Sequence, residues 1–247
     1  MPPMPRVPLT ADAREDVLAA AENDLISLLP RRDRSRLLAI SESVQLELGV
    51  VLCEPGKPTR HVYFPNDCLI SLVTAIEGEP WLEVRMVGRE GMLGVQLALG
   101  VGAIPLHALV QGAGTARRIA AAPFRRELEA SKALQRTLHR YVYVLIEQLA
   151  TSAACTHFHS IGQRLARRLL MTQDGAHSDS FHLTQEFLAH MLGVRRVSIT
   201  SAASDLQRRG LIGYHRGEIT VLDRGGLGKA ACSCYAADRH AYALTFG

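Results

Sequence analysis

Hydrophobic and polar residues follow a two-residue period in the first half of the chain and a helical period in the second half. Gln45–Leu48 and Leu82–Met86 alternate polar and apolar residues, a pattern typical of half-buried strands, and Leu69–Ile76 is a fully apolar strand candidate. Turn sequences separate these short strands up to about Pro123. The pattern predicts an antiparallel sandwich or barrel.

Two short helices are predicted ahead of the strands. They cover about Asp12–Leu29 and Arg31–Ser43, with Pro30 ending the first, and the four prolines among residues 1–10 indicate a loose arm before them. From Phe124 onward the chain is predicted to be mainly helical.

An apolar seam with steps of three and four residues predicts one long helix in the middle of the chain. The seam consists of Leu134, Leu138, Tyr141, Leu145 and Leu149. We interpret it as the contact surface of a coiled coil between two copies of the chain. The alternative is a helix packed lengthwise on its own sheet.

The segment from Thr184 to Ile199 predicts a helix-turn-helix. Thr184 is suited to cap the first helix, Gly193 permits the sharp turn, and Val194, Val197 and Ile199 are expected to plug the second helix into the first. A predicted basic hairpin with its turn at Arg216-Gly217 follows, which makes the whole unit a winged helix. The alternative is an ordinary three-helix bundle with an arginine-rich surface.

In the winged-helix interpretation the second helix enters the major groove of DNA, which is about 12 Å wide and admits a helix with small side chains. The residues expected to approach base edges are Arg195, Arg196, Ser198 and Ser201. The residues expected to hold the DNA backbone are Thr184, Gln185, Arg208, His215 and Arg216.

Together these patterns predict an α+β protein: an antiparallel β-barrel domain, a long dimerisation helix and a winged-helix DNA-binding domain. The expected divisions are a flexible arm and the start of the first helix over 1–20, the β-domain over 21–124, the dimerisation helix over 125–156 and the DNA-binding domain with a C-terminal helix over 157–247.

Charge supports a nucleic-acid partner for the second half. Residues 1–124 carry 12 basic and 14 acidic side chains, whereas residues 125–247 carry 16 and 10, which leaves the second half with a net charge of +6. The uncharged stretch between Glu90 and Arg117 is too rich in glycine to suggest a spanning helix, and the first residues lack a signal-peptide pattern. We expect a cytoplasmic protein with no membrane contact.

The five cysteines suggest neither a disulfide scaffold nor a metal site. Cys155 and His159 share a helix face, but no further ligand is evident beside them, and Cys232 and Cys234 would point apart on one helix. Buried thiols are the expected outcome, with redox sensing as an alternative for the second pair. We predict no cofactor and, since no catalytic motif is present, no enzymatic activity.

Several segments, in order, resemble the Crp–Fnr family of bacterial transcription regulators between about Leu25 and Asp223. Leu48–Gly56, His61–Pro65 and Val87–Gly94 resemble successive parts of that family's nucleotide-binding-type β-barrel, and His159–Leu170 resembles the first helix of its DNA-binding domain. The resemblance implies that the antiparallel β-barrel is a jelly-roll sensor domain. It also implies a homodimer that binds two-fold sites in double-stranded DNA, with RNA polymerase as an expected partner.

The resemblance assigns Arg196 to the family's base-reading arginine and Ser198 to a small hydroxyl position. Val197 stands where a glutamate is common, so one acceptor for a cytosine amino group is missing and the usual half-site is not expected.

The sensor side departs further from the family's cyclic-nucleotide-binding members. The expected effector pocket would comprise Gly94, Val95, Gln96, Leu106 and His107. It lacks the glutamate and arginine that those members use for ribose and phosphate, so we predict a degenerate pocket with weak or no binding of cyclic AMP. The amino-terminal cysteines of the iron–sulfur members are absent; haem remains open.

The sequence thus predicts a homodimeric, sequence-specific DNA-binding transcription regulator. One alternative is a sensor that acts through a ligand or protein partner and has a weak or degenerate DNA-binding domain, and another is a cyclic-nucleotide receptor. The effector, the target sequence and the choice between activation and repression are not predicted.

Overall fold

The computed structural model of the protein describes residues 22–74, 77, 81–176 and 178–247. Within these residues the first half contains two short helices, α1 and α2, then strands β1 to β7 with one 3₁₀ helix between β5 and β6. Their bounds are α1 Asp24–Ser27, α2 Arg31–Ala39, β1 Glu42–Leu46, β2 Val51–Cys53, β3 His61–Pro65, β4 Leu69–Thr74, β5 Leu82–Val87, the 3₁₀ helix Val95–Leu99, β6 His107–Gly112 and β7 Gly114–Ala120.

The strands form two antiparallel sheets with the orders β1-β7-β3 and β2-β6-β4-β5. Strand β3 is buried on both faces: Val62 and Phe64 pack towards the helices, while Tyr63 belongs to a separate apolar cluster with β4 and β6. The α+β fold is confirmed, but the sheets are not closed, so the predicted barrel is an open two-sheet structure.

The predicted 125–156 helix is divided at Ser131 into α3 (Ala121–Ala130) and α4 (Lys132–Phe158). Ser131 caps α4, because its hydroxyl accepts a hydrogen bond from the Leu134 backbone N–H at 3.0 Å. A serine in this extended conformation starts a new helix, a signal that the continuous apolar seam concealed.

The structure corrects the predicted seam of α4. Leu134, Leu138 and Tyr141 are buried in the core of their own sensor domain, where the Tyr141 hydroxyl accepts a hydrogen bond from the Met92 N–H at 3.2 Å. Leu145 also packs against this core, and Leu149 is 45% exposed. The seam therefore packs mostly on its own domain, which was the alternative interpretation.

A different apolar stripe of α4 faces solvent. Tyr143 is 60% exposed and Ile146 is 61% exposed, and with Ala150 and Ala153 they recur at steps of three and four residues. This spacing is that of a coiled-coil seam on the helix face opposite the buried one.

The second half contains helices α5 to α9 and strands β8 to β10. Their bounds are α5 Ile161–Ala176, β8 Ser180–His182, α6 Gln185–Leu192, α7 Arg196–Arg208, β9 Ile212–His215, β10 Glu218–Val221, α8 Arg224–Ala230 and α9 Cys234–Phe246. A core of its own, built from α5, α6, α7 and the sheet β8-β10-β9, holds this unit together.

Helix α5 has three arginines on its polar face, and this face is not simply exposed to solvent, because α5 lies between the two halves of the molecule. Arg168 is only 5% exposed, Arg167 pairs with Asp238 of α9, and Arg164 donates to the Leu192 carbonyl oxygen at 2.6 Å.

Two predicted helix boundaries also change. Helix α1 begins at Asp24, where the Asn23 side chain caps it, and residues 12–21 of the predicted helix lie outside the described residues. Helix α2 ends at Ala39, because the chain is already in strand β1 at Glu42. The predicted arm over 1–20 and most of the turn at 77–80 also lie outside the described residues. In the part of the chain that is described, no helix combines the length and the apolar character that a membrane crossing requires.

Candidate nucleic-acid interface

Helices α6 and α7 form a helix-turn-helix built by local signals. The Thr184 hydroxyl accepts a hydrogen bond from the Phe187 N–H at 3.1 Å and caps α6. Gly193 adopts a left-handed φ of +61°, which favours glycine, and the Val194 N–H then bonds the Ala189 carbonyl. The predicted turn is therefore present.

The apolar contacts between the two helices are as predicted for Val194 and Ile199 but not for Val197. Ile199, Ala203 and Leu206 face the core of the second half, and Val194 packs against it. Val197 does not plug the helix, because it is 66% exposed. Val197 is two positions before the buried Ile199 on α7, about 200° around the helix, so it points away from the core.

The exposed side of α7 carries the residues predicted to read bases. Arg195 stands at the N-cap, Arg196 begins the helix, and both are exposed together with Ser201, whereas Ser198 is half-buried. Val197 adds an exposed apolar side chain between these polar groups, one able to contact a thymine methyl group.

Two of the predicted backbone contacts are already engaged within the chain. The Gln185 side-chain carbonyl accepts a hydrogen bond from the Thr200 hydroxyl at 2.6 Å, which joins the starts of α6 and α7. Arg208 forms an ion pair with Asp205 one turn earlier on an exposed helix face. Such a surface pair is weak, and a phosphate can displace the carboxylate.

The wing is a two-residue hairpin between β9 and β10. Arg216 has a φ of +50° and Gly217 a φ of +89°, the conformation of a type I′ turn. Gly217 is close-packed, since a Cβ there would lie 2.6 Å from the His182 ring. Arg216 is the one non-glycine residue with positive φ among those described, and a left-handed arginine costs roughly 1–2 kcal/mol.

The sensor domain contains a cavity of about 360 Å³ between β2, β3 and the 3₁₀ helix. Gly94 and Gln96 line it, and Gln96 donates a hydrogen bond to the Thr59 hydroxyl at 2.7 Å. Three of the five residues predicted for this pocket lie elsewhere. Val95 packs into the helical core, His107 stacks on Trp81 with ring centres 4.8 Å apart, and Leu106 does not line the cavity.

The cationic groups at this cavity come from a segment that the sequence analysis did not consider. Lys57 and Arg60 both line it, but Lys57 pairs with Glu54 at 2.7 Å and Arg60 is exposed. All the residues predicted for the pocket follow Glu90 in the sequence. Only the fold places Lys57 and Arg60 beside Gly94 and Gln96.

A second cavity, of about 740 Å³, separates the sensor domain from the DNA-binding domain. Arg168 of α5 and Glu83 of β5 form a buried ion pair at its edge, and Arg168 also donates to the Gln111 side chain at 2.5 Å. Burial lowers the pKa of Arg168 to about 9, so the guanidinium remains charged at neutral pH and needs its counter-charge.

The structure also joins side chains that the sequence analysis treated separately. Cys155 and His159, at the end of α4, meet Cys232 and Cys234 in one cluster. The prediction that the last two point apart was wrong, because α9 starts at Cys234 and Cys232 lies in the bend before it.

The fold and the exposed α7 surface define a winged-helix DNA-binding protein with a two-sheet β-domain. Residues 163–230 match the family model described as the Crp-like helix-turn-helix domain. None of the curated protein sequences matches the chain.

Solved structures extend the likeness to most of the chain. A transcriptional regulator of the CRP family from Thermus thermophilus superposes with a TM-score of 0.63 at 18% identity, covering 76% of this chain and 96% of that one. FixK2 from Bradyrhizobium japonicum gives a TM-score of 0.63 at 12% identity, covering 78% and 98%. The c-di-GMP-responsive global regulator CLP of Xanthomonas campestris gives 0.57 at 15% identity, covering 78% and 99%.

At these low sequence identities, the comparisons show that the chains share a fold. The chain therefore carries a Crp-like helix-turn-helix domain within the fold of Crp/Fnr transcription regulators, and the family resemblance found in the sequence is confirmed.

Proposed function

We propose that the protein is a homodimeric, sequence-specific DNA-binding transcription regulator. The observation that carries the proposal is the exposed start of α7, where Arg195, Arg196 and Ser201 face solvent on the second helix of a helix-turn-helix that matches the Crp-like family model. Arginine and serine at the start of a recognition helix are suited to bond base edges in the major groove.

The wing supplies the backbone contacts in this proposal. Arg216 stands at the tip of the β9–β10 hairpin in an unfavourable left-handed conformation that asparagine or glycine would adopt at less cost. A charged side chain kept at such a position indicates a binding role, and a phosphate of the DNA backbone is the partner that fits a guanidinium. Thr184, Gln185, Arg208 and His215 complete the proposed backbone surface.

The proposed dimer forms through the exposed stripe of α4. Tyr143 and Ile146, followed by Ala150 and Ala153, give a narrow apolar seam on the face that the sensor domain leaves open. Two copies joined along this seam would present two α7 helices to successive turns of DNA, about 10 base pairs apart. RNA polymerase is the further partner expected of such a regulator.

The effector cavity is proposed to be degenerate with respect to cyclic AMP. Val95, which follows Gly94, packs into the core instead of presenting a carboxylate for a ribose, and Lys57 is paired with Glu54. Calorimetric titration of the protein with cyclic AMP and cyclic GMP should give no binding heat, whereas micromolar binding of either would favour the cyclic-nucleotide receptor instead.

Selection from a pool of random DNA duplexes tests the main proposal. The full chain should enrich a two-fold motif whose half-sites lie about 10 base pairs apart. Enrichment without a motif would instead support a sensor that acts through a partner and has a degenerate DNA-binding domain.

A further inference from the structure

Three cysteines and one histidine from distant parts of the chain converge where α4 ends and α9 begins. Cys155 lies on the last turns of α4, and His159 is its C-terminal cap residue. Cys232 and Cys234 lie at the start of α9. Their four ligand atoms are all within 4.8 Å of one another.

Two of the six distances between the ligand atoms are close to the edges of a tetrahedron around one metal ion, and none of the six exceeds 4.8 Å. Cys155 Sγ and Cys232 Sγ are 3.5 Å apart, and Cys234 Sγ and His159 Nδ1 are 3.6 Å apart. Zinc bound by sulfur at about 2.3 Å and by nitrogen at about 2.0–2.1 Å requires ligand atoms separated by roughly 3.5–3.8 Å.

The residue types and surroundings also suit a metal. Three cysteines with one histidine is a standard ligand set of structural zinc sites, which are closed and four-coordinate. The three thiols are buried. Arg167, which pairs with Asp238, also interacts electrostatically with Cys155, and a positive charge beside the site stabilises metal-bound thiolate sulfur.

We propose that Cys155, His159, Cys232 and Cys234 bind one Zn²⁺ ion in tetrahedral coordination. Binding releases the three thiol protons and leaves a site with a net charge of −1, which Arg167 faces. The ion fastens the start of α9 to the end of the proposed dimerisation helix.

Because of its position, the ion would also stabilise the packing of α9 against neighbouring helices. Helix α9 packs along α4, with the Arg140 guanidinium 5.1 Å from the Phe246 ring centre, and its Asp238 pairs with Arg167 of α5. The ion would therefore connect α4 to α9, and the Asp238–Arg167 pair connects α9 in turn to α5, at the joint between the sensor domain and the DNA-binding domain. This stabilising role rests on the proposed function, whereas the binding of zinc itself does not depend on DNA recognition.

The test measures zinc in the full chain purified under reducing conditions without chelator. Mass spectrometry of the metal content should give a single zinc ion per chain. Cys232→Ser and His159→Gln should reduce the content to background. Cys53→Ser and His157→Gln, which change the same residue types outside the cluster, should retain it.

A second measurement uses the unmodified chain, so that a variant that fails to fold does not decide the outcome. Replacement of zinc by Co²⁺ should give the intense visible bands of tetrahedral cobalt and a thiolate-to-cobalt charge-transfer band in the near ultraviolet. His159→Cys, which restores four ligands, should still bind the ion and shift these bands.

Three results would overturn the proposal. They are a wild-type chain without zinc after incubation with the ion, weak octahedral cobalt bands, and a Cys155–Cys232 disulfide in protein trapped with an alkylating agent at cell lysis. Loss of zinc in the ligand variants with DNA selection unchanged would support the site and separate it from the proposed function.

Discussion

Arg168 of α5 lies against Glu83 of β5, and this buried ion pair connects the DNA-binding domain to the sensor sheet. Both side chains are less than a tenth exposed. A buried pair of this kind stabilises the arrangement only while both charges are present, since a charge left alone in the interior is strongly unfavourable. The pair therefore couples the position of α5 to the sheet that borders the sensor cavity.

Glu83→Gln tests this coupling. Removing the carboxylate leaves the Arg168 guanidinium buried without a counter-charge, and we expect the free energy of unfolding to fall by about 3–5 kcal/mol. Urea unfolding followed by circular dichroism measures the change. Glu42→Gln is the matched control, because it breaks the exposed Arg118 pair and should change little. Equal falls in the free energy of unfolding for the two substitutions would show that the interdomain pair stabilises the protein no more than an exposed pair does.

Arg196→Ala tests base reading. An arginine that bonds guanine contributes about 1–3 kcal/mol of discrimination, so the variant should lose preference at one base pair of each selected half-site and keep it elsewhere. Competition titrations with single-base variants of the selected duplex measure this. Arg126→Ala, an exposed arginine on the sensor domain, serves as the control. A uniform loss of affinity across all duplexes would assign Arg196 to the backbone instead.

Arg216→Asn separates folding from binding at the wing. Asparagine tolerates the left-handed conformation, so we expect the free energy of unfolding to rise by roughly 1 kcal/mol. Loss of a phosphate contact should at the same time weaken binding to all duplexes and reduce the salt dependence of the binding constant by about one unit of slope. Urea unfolding and DNA titration at several salt concentrations give both quantities. A variant with unchanged DNA affinity would remove Arg216 from the interface.

Ile146→Glu tests the proposed dimer seam. A charge in the centre of an apolar contact should convert the dimer into a folded monomer, as measured by analytical ultracentrifugation. Leu244→Glu places the same charge on an exposed leucine of α9 and should leave the dimer intact. Leu138→Glu should instead unfold the sensor domain, since Leu138 is buried in its own core. A dimer that survives Ile146→Glu would contradict the seam.

The surroundings of His61 lead us to expect that the folded protein loses stability on mild acidification. Burial, followed by the positive charge of Arg118, lowers the pKa of His61 from its ordinary 6.5. The unfolded chain then binds a proton more readily than the folded one, so the free energy of unfolding falls as the pH drops below about 6.5 and is unaffected above it. His61→Gln should reduce this fall, as measured by urea unfolding at pH 7.5 and 5.5. The same fall in wild type and His61→Gln would exclude this histidine as a cause.

The sequence was informative wherever a local rule determines the structure. The turn at Gly193 needs a left-handed residue, Thr184 has a hydroxyl for a cap, and the hairpin at Arg216-Gly217 is set by two adjacent residues. The alternation of polar and apolar residues over Leu82–Met86 likewise indicated strand β5, because successive side chains of a strand face opposite sides.

Local rules failed where one helix had two apolar stripes. The stronger stripe of α4, which includes Leu138 and Tyr141, was assigned to the partner, although the chain's own sheets and helices cover it. Periodicity measures how apolar a face is and contains no information about what packs on it. Ile146 belongs to the weaker stripe. Its exposure is evident only in the folded structure, where the sensor domain covers the stronger stripe.

By itself the sequence determined the order of the elements, the helix-turn-helix and the family resemblance, since these depend on residues close together in the chain. Only the tertiary structure decided that Arg168 is buried against Glu83, that Val197 faces outward and that Cys155 meets Cys232. The two cysteines are 77 residues apart, and no local spacing rule connects side chains that the packing of α4 against α9 brings into contact.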